Sequence, residues 1–217
     1  MYEYIFFDLD GTLTDPSLGI TNSILYSLER FGIEKPERKA LYPFIGPPLI
    51  DSYKKYYDFS DEEARRAVDV YREYFRDKGL FENTVYEGIP AMLSALCEAG
   101  KHLVLATSKP EEFAVRIMKH FALDGYFDVM AGALMDETRT SKDEVITYAA
   151  AKLGLDNVAH AVMIGDREHD VLGAQKNGMD SIGVLWGFGD RHELTAAHAT
   201  HIVSTVNELT SLLLESP

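Results

Sequence analysis

Two carboxylates follow one short apolar run at the start of the chain. Tyr4-Ile5-Phe6-Phe7 leads into Asp8-Leu9-Asp10-Gly11-Thr12. The run reads as a buried strand, and side chains two apart on an extended segment point the same way, so Asp8 and Asp10 are expected to enter one pocket. Two anions that close repel unless a cation or a shared proton intervenes. Gly11 lets the backbone turn sharply or approach a ligand. Further on, Ala161-Val162-Met163-Ile164 runs into Gly165-Asp166, with Asp170 four residues later, and Leu103-Val104-Leu105-Ala106 runs into Thr107-Ser108-Lys109-Pro110. Lys142 stands beside Ser141 at an expected helix start. Taken singly, Thr107 or Ser108 serves as well for a helix cap, Lys142 for a solvated lysine, Asp166 for a turn and Asp170 for an N-cap. Their conjunction is much less probable by accident. Carboxylates with open oxygen positions suit Mg2+, which takes one or two of them together with a phosphate oxygen. A hydroxyl, an ammonium and backbone N–H groups near a helix start form an anion cradle, with Gly11 and Ser108 among its expected members. Metal, cradle and a free carboxylate together suit phosphoryl transfer. Uncatalysed phosphomonoester hydrolysis is so slow that the site must remove on the order of 20 kcal/mol of barrier, and splitting the reaction through an aspartyl-phosphate is one way to do it.

These groups need elements that bring them together. From Val85 onward, strand-like and helical segments alternate. Ile89 to Cys97, Pro110 to Phe121, Ser141 to Leu153, Val171 to Asn177 and a last segment opened by Thr205 to Glu208 read as helices. Leu103 to Ala106, Phe127 to Ala131, Ala161 to Ile164 and Ser181 to Leu185 read as strands. The expected fold is α/β: a Rossmann-like, mostly parallel sheet with helices on both faces, and ligands outside the carboxyl ends of the strands. Cys97 falls with Ile89, Met92, Leu93 and Leu96 and is expected in the core. Between about Pro16 and Gly79 the pattern is helical instead. Ile20, Ile24, Leu25, Leu28 and Phe31 make a stripe ending at Gly32, Pro43, Pro47 and Pro48 forbid one long helix, and Ser60 to Glu63 is a capping box. The expected organisation is an α/β core of residues 1–15 and 82–217 carrying a helical insertion of residues 16–81, roughly the size of a small four-helix unit.

The 217 residues carry a formal charge of −14, which argues against binding nucleic acid or anionic membranes. A single cysteine allows no intrachain disulfide, no leader pattern precedes the first strand, and no apolar stretch approaches a membrane span, so the expected location is the cytoplasm. The seven histidines show no paired metal spacing. Lys54, Lys55 and His169 read as solvated. Trp186-Gly187-Phe188-Gly189 suits a pocket rim and ordinary loop packing equally.

The ordered set Asp8-Leu9-Asp10-Gly11-Thr12, Leu105-Ala106-Thr107-Ser108, Lys142 and Gly165-Asp166 with Asp170 resembles the four motifs of the haloacid dehalogenase superfamily, in its Mg2+-dependent phosphatase branch. The resemblance implies Asp8 as nucleophile, Asp10 as general acid and then base, and Thr107 and Lys142 holding the phosphoryl group. It implies Mg2+ on Asp8, the Asp10 carbonyl and Asp166, with Asp170 supporting from behind. It also implies that the insertion is a helical cap, with Ile45-Gly46-Pro47-Pro48 as a cap loop, closing over a small phosphorylated metabolite. Phosphoglycolate phosphatase-like members look most similar overall, although Ser108 stands where Asn is common and Asp143 follows Lys142 where Pro is common. Gly165 to Asp170 is similar to members called 5′-nucleotidases or protein-tyrosine phosphatases. A phosphomutase would need cap groups for both ends of a sugar, a dehalogenase would leave Asp10 and Asp166 without purpose, and a phosphonatase would need a cap lysine. A non-catalytic Mg2+- and phosphate-binding receiver is about half this length.

Overall fold

The computed structural model describes residues 2–135 and 138–215. The chain divides into two compact units, one of Met1–Thr14 with Val85–Pro217 and one of Asp15–Thr84. In chain order, β1 (Tyr4–Phe7) and β2 (Thr14–Asp15) precede α1 (Ser17–Arg30), a 3-10 helix (Arg38–Phe44), α2 (Leu49–Tyr57), α3 (Asp61–Tyr74) and a π-helical turn (Phe75–Gly79). There follow β3 (Thr84–Val85), α4 (Ile89–Glu98), β4 (His102–Pro110), α5 (Glu111–His120), β5 (Val129–Ala133), α6 (Lys142–Leu153) and β6 (Ala161–Gly165). The chain closes with α7 (Glu168–Lys176), β7 (Asp180–Val184), α8 (Arg191–Ala196), β8 (His201–Val203) and α9 (Val206–Glu215). β2 and β3 pair in a small sheet of their own.

The first unit is built on a six-stranded sheet of order β5-β4-β1-β6-β7-β8, each neighbouring pair parallel. The continuous apolar runs read from the sequence are what a sheet buried on both faces requires. Phe6, Val104, Ala106 and Met163 pack against Val145, Ile146 and Ala149 of α6 and Ala174 of α7. The alternate residues Ile5, Phe7, Leu103, Leu105, Val162 and Ile164 are also fully buried, so the other face is covered too. The strand order reverses direction at β1, between β4 and β6, which makes the carboxyl ends of β1 and β6 the crevice where such sheets bind ligands.

Register then decides which residues meet. Phe7 pairs with Leu105 on one side and Ile164 on the other, so Asp8, Ala106 and Gly165 lie level. β4 carries an irregularity. Thr107 pairs with Gly132, but the next paired residue is Pro110, with Ala133, leaving Ser108 and Lys109 bulged. Gly132 makes room for this, because a Cβ there would lie 2.6 Å from the Lys109 carbonyl oxygen and from the Glu111 Cα.

The second unit is helical, with three α-helices, a 3-10 helix and a π-turn. Pro43 lies inside the 3-10 segment, where an α-helical hydrogen-bond ladder is denied. α1 turns Gly19, Ser23 and Ser27 towards α3 and the π-turn. A Cβ on Gly19 would lie 1.9 Å from the Gly79 carbonyl oxygen, Ser23 donates to the Gly19 carbonyl at 2.7 Å, and Ser27 donates to the Ala67 carbonyl at 2.8 Å. Tyr53 is fully buried, stacked on Phe59 and edge-on to Phe44. The Ser60 to Glu63 capping box forms at the start of α3.

Cys97 is a correction. It is exposed on the last turn of α4 and donates to the Tyr126 carbonyl, while Ile89, Met92, Leu93 and Leu96 alone face inward. One residue past Leu96, it is rotated about 100° from the apolar face. α8 and β8 were not legible either, since one has a single buried residue, Leu194, and the other spans three residues. No helix among the described residues is long and apolar enough to cross a membrane.

Candidate active site

Asp8 leaves β1 with its own N–H donating to the Ile164 carbonyl at 2.9 Å, which ties the end of β1 to β6. Its carboxylate meets Lys142, whose Nζ donates to Asp8 Oδ1 at 2.6 Å and to the Ala106 carbonyl at 3.0 Å. The same ammonium forms an ion pair with Asp170 Oδ1 at 2.8 Å. Lys142 reaches this position from the first turn of α6, where Glu144 accepts from the Ser141 and Thr140 N–H groups and fixes the helix start. Burial works against its charge, but Asp170 and Asp8 outweigh it and hold its pKa above the usual lysine range.

Asp8, Asp166 and Asp170 are buried, and each offers a carboxylate oxygen within 4.8 Å of the others. Asp166 accepts the Phe188 N–H on Oδ2 at 2.7 Å, while its Oδ1 is buried with no hydrogen-bond partner. Burial pushes the Asp166 carboxyl well above its ordinary range, and the charges of Asp170 and Asp8 push it further. Burial also raises Asp170, against the pull of Lys142.

Asp10 stands apart from this cluster. Its Oδ2 is held by Lys109 Nζ, both side chains being nearly buried, and its Oδ1 has no hydrogen-bond partner. Burial raises its pKa, and the Lys109 ammonium opposes the rise. Lys109 is the residue that sequence reasoning passed over as part of a motif string. Its signal was an ammonium two residues after a strand-end hydroxyl. What turns it inward is the bulge, which no periodicity reveals. Thr107 is buried, its Oγ1 accepting the Lys109 N–H at 3.3 Å, and Ser108 is half-buried beside it. Gly11 has φ +86°, and a Cβ there would lie 2.2 Å from Asp166 Oδ2, so only glycine lets the turn after β1 approach Asp166 this closely. Lys54 is exposed and paired with Asp61, and His169 is exposed.

Among the described residues, the carboxyls of Asp8, Asp10, Asp166 and Asp170 thus gather in buried space around the ammonium groups of Lys109 and Lys142. Arg167 pairs with Glu193 through Nε at 2.8 Å, and its charge also opposes the rise of the Asp166 carboxyl. Buried charges of one sign are costly unless paired or coordinated, and an all-oxygen donor set suits a hard divalent cation. The residues present fit such an ion, with Asp166 Oδ1 left for it.

The comparisons with known proteins agree with this geometry. The family of haloacid dehalogenase-like hydrolases matches residues 5–184. The chain is 47% identical over 212 residues to a 5′-nucleotidase of Pseudomonas aeruginosa, covering 98% of this chain and 96% of that one. It is 37% identical over 213 residues to tyrosine-protein kinase PtkA of Mycobacterium tuberculosis, covering 97% of this chain and 72% of that one. Among solved structures, a predicted phosphatase from Clostridium acetobutylicum superposes with a TM-score of 0.95 at 50% identity, each chain covered completely. With its α/β sheet, its cluster of strand-end carboxylates, a family match over residues 5–184 and relatives that cover 97% or more of its length, the chain belongs to the haloacid dehalogenase-like hydrolase family.

Proposed function

We propose that this phosphoric monoester hydrolase passes the phosphoryl group of a small phosphomonoester first to Asp8 and then to water, with Mg2+ as its cofactor. The observation that carries the reading is a strand-end carboxylate locked by the buried Lys142, with the buried carboxyls of Asp166 and Asp170 within 4.8 Å of it. Asp8, Asp166 and Asp10 would hold the ion, with Asp170 behind them. Bound there, Mg2+ supplies positive charge for the phosphoryl oxygens and relieves the repulsion among the carboxylates. Asp8 attacks phosphorus as the ester oxygen leaves, and Asp10 gives that oxygen a proton. Asp10 then takes a proton from the water that attacks the aspartyl-phosphate, which releases phosphate and restores Asp8. The raised pKa of Asp10 supports its service as an acid. Thr107, Ser108, the Gly11 backbone and Lys142 cradle the phosphoryl oxygens. The helical unit Asp15–Thr84 takes the role of the cap that selects the leaving group.

Nucleoside 5′-monophosphates are the substrate class favoured, on the strength of the 47% identical 5′-nucleotidase relative. Asp8→Asn should lower phosphate release from p-nitrophenyl phosphate by at least about a thousandfold, as loss of a nucleophile does, while Mg2+ still stabilises the protein. Turnover by that variant, freshly made and free of deamidation, would overturn the mechanism. In a panel of nucleoside monophosphates, phosphoglycolate, sugar phosphates and phosphotyrosine, the nucleotides should give the highest kcat/KM. Any other ranking overturns the substrate reading alone.

A further inference from the structure

The segment after β7 touches both halves of the carboxylate pocket. Phe188 N–H donates to Asp166 Oδ2 at 2.7 Å. Gly187 lies between Asp166 and the first turn, since a Cβ there would come 2.4 Å from both Asp166 Oδ2 and the Gly11 carbonyl oxygen. Gly187 is not in the left-handed region, so what it supplies is space rather than backbone freedom. A Cβ on Gly189 would lie 1.9 Å from the Asp166 carbonyl oxygen. Trp186 Nε1–H donates to the Thr12 carbonyl at 3.0 Å, which joins this segment to the turn that carries Asp10 and Gly11. Beyond it, Asp190 caps α8 by accepting the Glu193 N–H at 2.8 Å, and Glu193 in turn accepts from Arg167 Nε and the Glu168 N–H at 2.8 Å each. The loop bearing Asp166 is thus gripped on both sides by one stretch of chain.

We propose that Trp186–Glu193 is a positioning clamp for the metal-binding carboxylate Asp166, with the Trp186 indole as the strut that fixes the clamp to the Asp10–Thr12 turn. This rests on the assignment of Asp8 and Asp166 to Mg2+. The clamp holds one Asp166 oxygen on a backbone N–H and leaves the other for the ion. Outer contacts of this kind preset ligand orientation, and losing them weakens metal affinity. Trp186 is the only tryptophan in the chain, so its emission reads the strut directly.

The test uses the full chain stripped of metal with EDTA. Adding Mg2+ should change the tryptophan emission saturably, with the same midpoint as Mg2+ activation of p-nitrophenyl phosphate hydrolysis. Asp166→Asn should abolish that emission change. Trp186→Phe keeps an aromatic side chain, smaller than indole, and removes the N–H donor, so it should raise the Mg2+ concentration for half-maximal rate, and for half-maximal thermal stabilisation, by about three- to tenfold, the scale of one lost hydrogen bond. Raising the Mg2+ concentration should recover the lost rate. Flat wild-type emission across the activating range, or an unmoved midpoint in Trp186→Phe, overturns the clamp and leaves the metal assignment standing. A wild-type enzyme indifferent to Mg2+ overturns both. The wild-type titration decides the matter even if the variant does not fold.

Discussion

Two buried lysines divide the work of this pocket, and they differ in what they hold. Lys142 spans Asp8 and Asp170, and Lys109 pairs with Asp10. Removing one partner of a buried ion pair leaves a charge with no compensation and costs about 3–5 kcal/mol. Lys109→Met should therefore lower stability to urea on that scale at neutral pH and, on the proposed acid–base role of Asp10, lower kcat by about tenfold or more. The stability loss should shrink as pH falls, because protonating Asp10 removes the stranded charge. Lys109→Arg should not restore the rate, since a planar fork does not fill the place of a compact ammonium. A Lys109→Met protein with wild-type kcat would show that Asp10 needs no partner.

At the scale of elements, the bulge in β4 is what brings Lys109 to Asp10, and Gly132 on β5 is what admits the bulge. Gly132→Val puts branched carbon into the Lys109–Glu111 backbone. Overpacking of this kind costs about 1–3 kcal/mol, and here it should also displace Lys109, so that activity falls further than stability. Thermal melts and kcat on one preparation check the two together. Equal losses would mean that the bulge has no part in the site. In the helical unit the corresponding weak point is Tyr53, buried among Phe44, Tyr57 and Phe59. Tyr53→Ala should cost about 3–5 kcal/mol, the range for deleting a buried aromatic, read from the urea midpoint. A midpoint within error of wild type would show that the cluster contributes little. The elements around these points were legible because each shows its own period and cap: the stripe ending at Gly32, the Ser60 box and the continuous apolar runs of β1, β4 and β6. The bulge and α8 were not, because a bulge leaves no compositional trace and a six-residue polar helix has no period to detect.

For the molecule as a whole, the proposed metal site makes proton and Mg2+ rival counter-charges for the same carboxylates. Asp10, Asp166 and Asp170 have folded pKa values above the ordinary 3.8. Each binds its proton more tightly when folded, so between 3.8 and those raised values stability falls as pH rises. Asp61, Glu63, Asp143 and Glu144 are shifted the other way. They lie at the surface, where solvent screens the effect. The metal-free protein should therefore melt at higher temperature as pH is lowered from neutrality towards the carboxylate range. Mg2+ should raise the melting temperature at neutral pH, by an amount that fades on acidification. Asp166→Asn should flatten both trends. A melting temperature that climbs steadily with pH in EDTA would contradict the buried-carboxylate account.

What the sequence determined by itself is the hydrolase class and the layer architecture. Acids after buried apolar runs, a hydroxyl after another and a lysine at a capped helix start are local patterns, and local patterns survive without coordinates. The tertiary structure alone decided which groups touch. Parallel register puts Asp8 level with Gly165, a two-residue bulge turns Lys109 onto Asp10, and the loop after β7 closes on Asp166 through gaps that only glycines leave. Each depends on residues far apart in the chain meeting at fixed distances, and such distances are set by packing rather than by any one segment's composition.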